Sequence, residues 1–299
     1  MKQRIAFIGA GKMATALISC IYNKKLAKSI IASDKNNENL NRIKKQFKTL
    51  KNQRFFGHKQ NRDFAVQKIQ RIFSHQKSKG FFSVKTTASN NEAVKNSDIV
   101  FVCVKPQDID NVLNEIGNAA GNQLVVSIAA GIRLKHLESK LKNKRVIRVM
   151  PNINCLAGEM AAGFSASKHA TKQDIKNVSK LLNSAGIAFQ IEEDLLDAVT
   201  AISGSGPAFF AYFIDAFAEA GIKNGLPKDI AFKLACQTAL GTGKLLMEKN
   251  LATDELIRMV ASKKGTTIAG LNVLKKHKAK SMLIKTINAA VKRSRELGK

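Results

Sequence analysis

The stretch Ile5-Ala6-Phe7-Ile8-Gly9-Ala10-Gly11-Lys12-Met13-Ala14 decides the fold of this chain. An apolar run typical of a buried strand passes directly into the pattern Gly-x-Gly-x-x-Ala and then into a helical pattern over 14–22. The first glycine permits a tight turn, the second lets backbone approach a pyrophosphate, and the alanine lets the helix pack on the sheet. Asp34 follows at the end of the next strand pattern. This order predicts a dinucleotide-binding βαβ unit.

Strand and helix patterns continue to alternate through the first half of the chain. Apolar, β-branched runs typical of strands buried on both faces of a parallel sheet recur at Ser29–Ser33, Asp98–Val104, Gln123–Ile128 and Arg145–Val149. Helical patterns lie between them, at 91–96, 108–117 and 134–142. The fold class is therefore α/β, with an N-terminal Rossmann domain, a doubly wound parallel sheet, over residues 1–165.

An all-helical domain is predicted for residues 166–299, where we expect only one short strand, at Ile187–Ile191. Its central helix, Ala208–Ile222, is apolar almost all round. A helix of this kind must be buried on every side. Because the helical half is a small body, we expect burial against a second subunit and hence a dimerisation domain.

The charge of the chain is concentrated in one segment. The net charge is +28, and residues 42–80 hold twelve Lys or Arg against one acid, Asp63. Such a segment is either a patch for a polyanion, such as nucleic acid, or a solvated basic insertion. No zinc, helix-turn-helix or RGG pattern accompanies it, so we favour an insertion over about 47–82 and expect no nucleic-acid partner.

Cysteine usage and hydropathy place the chain in a reducing, aqueous compartment. The four cysteines have no metal or disulfide spacing, which favours free thiols in the cytoplasm and no metal site. The longest uncharged stretch, Ala198–Ile214, is interrupted by glycines and Pro207, so we expect no membrane span. The five histidines are scattered. Chemistry without a strong acid–base constellation suits hydride transfer, in which a cofactor carries the reaction.

Three further segments are candidates for ligand binding. Ser33, Asp34 and Lys35, at the end of the second strand, offer a hydroxyl, an acid and a cation, so NAD and NADP both remain open. Val104-Lys105-Pro106 follows a central strand, where Lys105 can stand beside the nicotinamide ribose, and small residues after the next strand, at 127–131, leave room for a flat ring. Ser262–Thr267 joins two helical patterns, and free amides at a helix start attract a carboxylate.

These motifs together resemble the pyrroline-5-carboxylate reductase family. The resemblance covers nearly the whole chain apart from about 47–82. Its most specific segments are Asp197–Thr200 leading into Ser203-Gly204-Ser205-Gly206-Pro207-Ala208, then Gly221–Leu226 and Gly265–Leu271, with support from Val104-Lys105-Pro106-Gln107 and Met150-Pro151-Asn152.

The resemblance implies reduction of the cyclic imine 1-pyrroline-5-carboxylate to L-proline by NADPH or NADH, in proline biosynthesis. It implies a homo-oligomer built of dimers, which the family often gathers into a decamer. The implied cofactor residues are Ile8, Gly9, Ala10, Gly11, Lys12 and Met13 at the pyrophosphate; Ser33 and Asn90 at the adenosine half; and Val104, Lys105, Pro106, Ile128, Ala129 and Ala130 at the nicotinamide. Asp34 and Lys35, next to Ser33, are the further cofactor-binding candidates that the end of the second strand offers.

The same resemblance implies a substrate site in the turn between two helices. Ser262, Gly265, Thr266 and Thr267 would bind the substrate carboxylate, Thr267 would hydrogen-bond the ring nitrogen as the catalytic residue, and Glu193 would stand at the pocket rim. The family usually has Pro-Gly where this chain has Lys263-Lys264. We expect activity to persist with this change.

Two other functions are compatible with the pattern. Another two-domain NADP-dependent reductase, such as an imine reductase or a β-hydroxyacid dehydrogenase, would share the fold. The latter depends on a lysine in the first long helix of the helical half, and neither Lys223 nor Lys233 has a matching small-residue context. A non-catalytic polyanion-binding relative would use residues 42–80.

Overall fold

The computed structural model describes residues 2–53 and 82–298. They divide into two compact units. The sheet unit ends at Gly204 and takes in the chain again from Ser294, and the helical unit is Ser205–Arg293. The compact division thus falls later than the predicted domain boundary at 165 and 166, because strands of the sheet continue beyond that point.

The sheet unit is built on one sheet with strand order β3-β2-β1-β4-β5-β6-β7-β8. Its strands are β1 (Gln3–Ile8), β2 (Ala27–Ser33), β3 (Val84–Thr87), β4 (Ile99–Val102), β5 (Leu124–Ser127), β6 (Arg145–Met150), β7 (Met160–Ala166) and β8 (Gly186–Gln190). All neighbours pair parallel except β6 and β7, which are antiparallel. The chain reverses its direction of winding between β1 and β4, where doubly wound sheets bind ligands.

Helices cover both faces of this sheet. They are α1 (Lys12–Asn23), α2 (Asn37–Gln53), α3 (Asn90–Lys95), α4 (Ile109–Ala119), α5 (Leu134–Lys140), α6 (Lys172–Leu182) and α7 (Leu196–Val199). Because side chains alternate along a strand, β1 feeds two cores: Phe7 packs in one cluster with Leu17 of α1, and Ile8 in the other with Leu113 of α4. The predicted α/β class with a doubly wound N-terminal sheet is confirmed.

The centre of the sheet is dry and closely packed. All four residues of β4 are buried. Phe101 of β4 stacks on Phe7 of β1 with ring centroids 4.9 Å apart and planes 10° from parallel. Burial of apolar strands on both faces is what the continuous β-branched pattern indicates.

Three elements of the sheet unit differ from the sequence expectation. Strand β3 and helix α2 lie in a region without a predicted element, and β7 is an antiparallel strand at the predicted end of the domain, where no strand was predicted. The basic stretch 54–81, most of the predicted insertion at 47–82, lies outside the described residues. Its two flanks meet at one side chain: Phe47 and Phe82 both pack edge-on against Tyr22, at 5.0 and 5.2 Å. Phe47 therefore belongs to the core.

The helical unit consists of long helices and short turns. They are α8 (Gly206–Lys223), α9 (Lys228–Lys249), α10 (Thr253–Val260), α11 (Thr266–Lys276) and α12 (Ala279–Leu297), whose last turn belongs to the sheet unit. Only Gly206 and Ala218 of α8 are buried within the chain, although the helix is apolar almost all round. In the described part of the chain, no helix is both long and apolar enough to cross a membrane.

Candidate functional site

The glycine turn after β1 has a backbone that only glycine adopts without strain. Gly9 has φ of +91°, and a Cβ there would lie 3.0 Å from the carbonyl carbon and oxygen of Cys103. Its N–H donates to the carbonyl oxygen of Ser33 at 2.8 Å. The close approach of β1, β2 and β4 therefore fixes the turn at the point where the winding reverses.

Helix α1 begins at this turn with free amide groups. Gly11 is its N-cap residue, and no side chain among the described residues caps it. The first N–H groups of a helix, here those of Lys12 and Met13, have no acceptor within the helix. A Cβ built at Gly11 would meet no atom within 4 Å, whereas Ala14 is fully buried against the sheet. Open space before a cluster of amides at the positive end of a helix fits a pyrophosphate.

The residues at the end of β2 divide into two groups. Ser33 is buried and donates to Oδ1 of Asn90 at 2.7 Å, so the structure brings these two predicted residues together. Asp34 is directed at the glycine turn, where it accepts from the Ala10 N–H at 2.7 Å. Lys35 is exposed and pairs with Asp108 at 3.2 Å.

An open cleft of about 270 Å³ lies beyond the ends of β4, β5 and β6. Its walls contain the predicted nicotinamide residues Val104, Lys105, Pro106, Ile128, Ala129 and Ala130, together with Met13 of the glycine turn. Sequence reasoning missed Cys103, Met150 and Pro151 as lining residues. Burial raises the pKa of the Cys103 thiol, so it is a neutral wall of the cleft at pH 7 and not a nucleophile.

Ser203 and Gly204 support the wall of the cleft at Met150 and Asn152. Buried Asn152 donates to the Ser203 carbonyl oxygen at 3.2 Å and accepts from the Ala161 N–H at 3.1 Å. A Cβ at Gly204 would lie 2.6 Å from Cε of Met150. The Met150-Pro151-Asn152 motif was the signal that could have identified this wall.

Glu193 lies at the junction of β6 and α5. Its Oε1 accepts from the N–H of Leu134 at 2.9 Å and from Nη1 of Arg148 at 2.5 Å. Arg148 is almost fully buried, so this ion pair fixes the start of α5 and the middle of β6. The second oxygen of Glu193 is buried and has no hydrogen-bond partner among the described residues. Glu193 is not among the residues that line the cleft.

The predicted substrate turn joins α10 to α11 in the helical unit. Gly265 is the N-cap of α11, its own N–H donates to the Ser262 carbonyl oxygen at 3.0 Å, and no described side chain caps the helix. Thr266 and Thr267 open the helix, as the sequence predicted, so their N–H groups are free. Lys264 adopts a left-handed backbone with φ of +58°. The turn presents amides and exposed lysines suited to a carboxylate.

The polar groups of the described residues indicate which chemistry is available. No cluster of His, Cys, Asp or Glu among them could hold a metal ion. The carboxyl edge of the sheet instead offers, in strand order from β2 to β6, a hydroxyl–amide pair, a glycine turn with free amides and an apolar cleft. This succession fits the adenosine, pyrophosphate and nicotinamide of a dinucleotide.

Sheet topology and site geometry together define a dinucleotide-dependent oxidoreductase. Two family models match the chain: "NADP oxidoreductase coenzyme F420-dependent" over residues 4–131 and "Pyrroline-5-carboxylate reductase dimerisation" over 193–297. Over 218 residues the chain is 38% identical to a pyrroline-5-carboxylate reductase of Synechocystis, covering 73% of this chain and 82% of the relative. The chain belongs to the pyrroline-5-carboxylate reductase family, as its motifs indicated.

Solved structures agree with this membership. The pyrroline-5-carboxylate reductase of Coxiella burnetii superposes with a TM-score of 0.85 at 26% identity, over all of both chains. The pyrroline carboxylate reductase of Plasmodium falciparum, solved with NADP bound, superposes with a TM-score of 0.76 at 27% identity, over 99% of this chain and 98% of that one.

Proposed function

We propose that this chain catalyses the NAD(P)H-dependent reduction of 1-pyrroline-5-carboxylate to L-proline. The observation that carries the proposal is the cleft that joins Val104–Pro106 to Ile128–Ala130 beside a glycine turn with free amides. In a member of the pyrroline-5-carboxylate reductase family, this arrangement is a nicotinamide site. The protein is accordingly an oxidoreductase of proline biosynthesis.

The sheet unit holds the cofactor in this proposal. The free amides of residues 11–13 bind the pyrophosphate, and the Ser33–Asn90 pair meets the adenosine half. When bound, the reduced nicotinamide supplies the hydride for the cyclic imine. The cleft walls, which include Ile128 and the neutral Cys103 thiol, orient the ring and exclude water.

The turn Ser262–Thr267 binds the substrate in this proposal. The free amides at the start of α11 donate hydrogen bonds to the carboxylate, and Lys263 and Lys264 add positive charge. Thr267 hydrogen-bonds the ring nitrogen, since a hydroxyl can donate to or accept from it. Glu193 remains a prediction as a pocket residue, and its described contacts stabilise the sheet unit.

The protein is a homo-oligomer, and we propose a dimer as its basic form. The support is the exposed apolar surface of α8, where Phe210, Tyr212 and Phe217 are each more than 65% exposed in the single chain. A cytoplasmic location and a decamer of dimers are proposals that follow from cysteine usage and from the family. Light scattering, measured as the protein elutes from a size-exclusion column, gives the mass of the assembly.

The reductase activity is tested by following loss of the reduced-nicotinamide absorbance with NADPH and with NADH, in the presence of 1-pyrroline-5-carboxylate. We expect oxidation that depends on the imine and forms L-proline stoichiometrically. Cofactor binding without imine-dependent oxidation would show a reductase with another substrate, such as an imine reductase. Binding of neither cofactor would overturn the proposal.

The role of Thr267 is tested by Thr267→Val. We expect kcat to fall about tenfold to 100-fold, the loss expected when a hydrogen bond to a charged group is removed, with unchanged cofactor affinity. Thr253→Val is the matched control, because Thr253 opens α10 as Thr266 and Thr267 open α11. Equal turnover of both variants would remove Thr267 from the mechanism.

A further inference from the structure

The glycine turn is held by residues at the end of β2, directly after it and in α2. Three hydrogen bonds cross to it: Gly9 N–H donates to the Ser33 carbonyl oxygen at 2.8 Å, Ala10 N–H donates to Oδ2 of Asp34 at 2.7 Å, and Nη2 of Arg42 donates to the Ala10 carbonyl oxygen at 2.8 Å. Both peptide groups that flank the Ala10 Cα are therefore fixed by charged side chains.

Asp34 is itself held in place for this contact. Its Oδ1 accepts from the N–H of Asn36 at 2.8 Å, and its Oδ2 also accepts from Nδ2 of Asn39 at 3.0 Å. With the Ala10 N–H, three of its roughly four lone-pair positions are occupied. Asn39 and Arg42 lie three residues apart on α2, on one face of the helix. One network thus runs from α2 to the glycine turn.

We propose that Asp34 and Arg42 are positioning residues that clamp Ala10, so that the free amides of residues 11–13 face the pyrophosphate. The inference rests on the proposed cofactor site. Since the pyrophosphate is common to NADH and NADPH, the clamp serves both cofactors alike, and Asp34 does not select between them.

The alternative is the ribose role that an acid at the end of β2 usually has, which is to hold the 2′-hydroxyl and so favour NAD. The two roles have opposite consequences. A ribose-binding Asp34 favours NADH and disfavours the 2′-phosphate of NADPH, so its loss weakens the binding of NADH alone. A clamping Asp34 favours the binding of both cofactors, so its loss weakens the affinity for each by the same factor.

Because the two clamp residues carry opposite charges, their alanine variants distinguish a direct charge effect on the cofactor from an effect through Ala10. Asp34→Ala removes a negative charge and Arg42→Ala removes a positive one. If the charges acted on the anionic cofactor through space, the two variants would change its affinity in opposite directions. If they act through the Ala10 peptide groups, both variants weaken binding.

The experiment measures the Kd of NADPH and of NADH by the fluorescence of the reduced nicotinamide, without substrate, for the full-length chain and its variants. We expect Asp34→Ala and Arg42→Ala each to raise both Kd values about tenfold or more, with the NADH to NADPH ratio changed less than about threefold. The double variant should raise each Kd by less than the product of the two single-variant factors, because both side chains hold the same residue.

Asp98→Ala is the matched control. Asp98 also accepts a backbone N–H, that of Arg4 at 2.8 Å, and pairs with the Arg4 guanidinium, but at the opposite end of β1. It should lower stability and leave both Kd values unchanged. Should Asp34→Ala not fold, Asp34→Asn and Arg42→Lys retain one bond to Ala10 and should give smaller, equal losses for the two cofactors.

Three results would overturn the clamp. A loss confined to NADH, or a gain for NADPH, would assign Asp34 to the ribose. Unchanged Kd values in both alanine variants would remove the network from cofactor binding while leaving the proposed function standing. Failure of the unsubstituted chain to bind either cofactor would overturn the clamp and the reductase function together.

Discussion

The central strands of the sheet unit bury their phenylalanines, whereas helix α8 of the helical unit exposes two of its own. In the sheet unit, Phe7, Phe101 and Phe164 are at most 1% exposed, whereas in the helical unit Phe210 and Phe217 are 67% and 68% exposed. Isolated apolar side chains on a surface are ordinary, but a run of them along one helix marks an interface. The centre of the sheet is therefore packed within one chain, although Phe189 on its edge strand β8 is 62% exposed, and the helical unit needs another surface.

This difference links folding to concentration. Partner binding stabilises the folded state that binds, and it does so by mass action. We therefore expect the helical unit to gain stability as the protein concentration rises, while the packing of the sheet unit stays the same.

The largest effect is expected from Phe217→Glu. A carboxylate buried without a partner at an apolar interface costs several kcal/mol, so the Kd for self-association should rise about 1,000-fold or more. Analytical ultracentrifugation over a dilution series measures it. Glu248→Gln, which removes a charge from α9 instead, is the control. A Phe217→Glu dimer as tight as the parent would place the interface elsewhere.

Phe101→Ala tests the packing of the sheet unit. Removing this buried ring, which stacks on Phe7, should lower the free energy of unfolding of the sheet unit by about 3–5 kcal/mol. Urea titration followed by circular dichroism measures the change. Ile99→Val on the same strand should lower it by only about 0.5–1.5 kcal/mol. Equal effects of the two variants would mean that the core collapses around the lost ring.

Local patterns sufficed for most of the sheet unit. Strand β1, the glycine turn and α1 followed from one stretch of sequence, because the apolar run, the two glycines and Ala14 each have a single structural reason. Strand β7 was not predicted, because its sequence is rich in alanine and glycine and has no β-branched run. Pairing with its neighbours β6 and β8 makes it a strand.

The candidate site was predictable as a set of segments but not as a network. The sequence placed Val104–Pro106 and Ile128–Ala130 at neighbouring strand ends, and the structure joins them in one cleft. The direction in which Asp34 points depends on Asn36, Asn39 and the Ala10 N–H. Such tertiary hydrogen bonds leave no periodic signal in the sequence.

Lys264→Gly tests the backbone strain in the turn between α10 and α11. Lys264 adopts a left-handed backbone, which costs a residue with a Cβ roughly 1–2 kcal/mol, while glycine loses more chain entropy on folding. We expect a net gain of about 0.5–1 kcal/mol in unfolding free energy, measured by urea titration at constant protein concentration. Lys263→Gly, at a position without positive φ, should destabilise instead. A loss of stability in Lys264→Gly would show that its side chain stabilises the turn.

The smallest effect concerns two carboxylates, one in each unit, whose pKa values are lowered by a hydrogen bond from a cation. The bond from Arg4 lowers the pKa of Asp98, and the bond from Lys223 lowers that of Glu219. A carboxyl group with a lowered folded-state pKa stabilises the protein above its unfolded pKa, about 3.9 for Asp, and this contribution is lost as the pH falls through the folded value.

We therefore expect Asp98→Asn to be less stable than the parent at pH 7, and the difference to shrink as the pH falls through the folded-state pKa of Asp98, as measured by urea titration over a pH series. Glu219→Gln should show a weaker pH dependence, because Glu219 is held by one flexible, exposed lysine, whereas Asp98 also accepts the rigid N–H of Arg4. Added salt should reduce the Glu219 effect more than the Asp98 effect, since screening acts on exposed charges and leaves a backbone hydrogen bond largely intact. Equal pH and salt dependence in the two variants would mean that the guanidinium, and not the backbone of β1, supplies the stabilisation at Asp98.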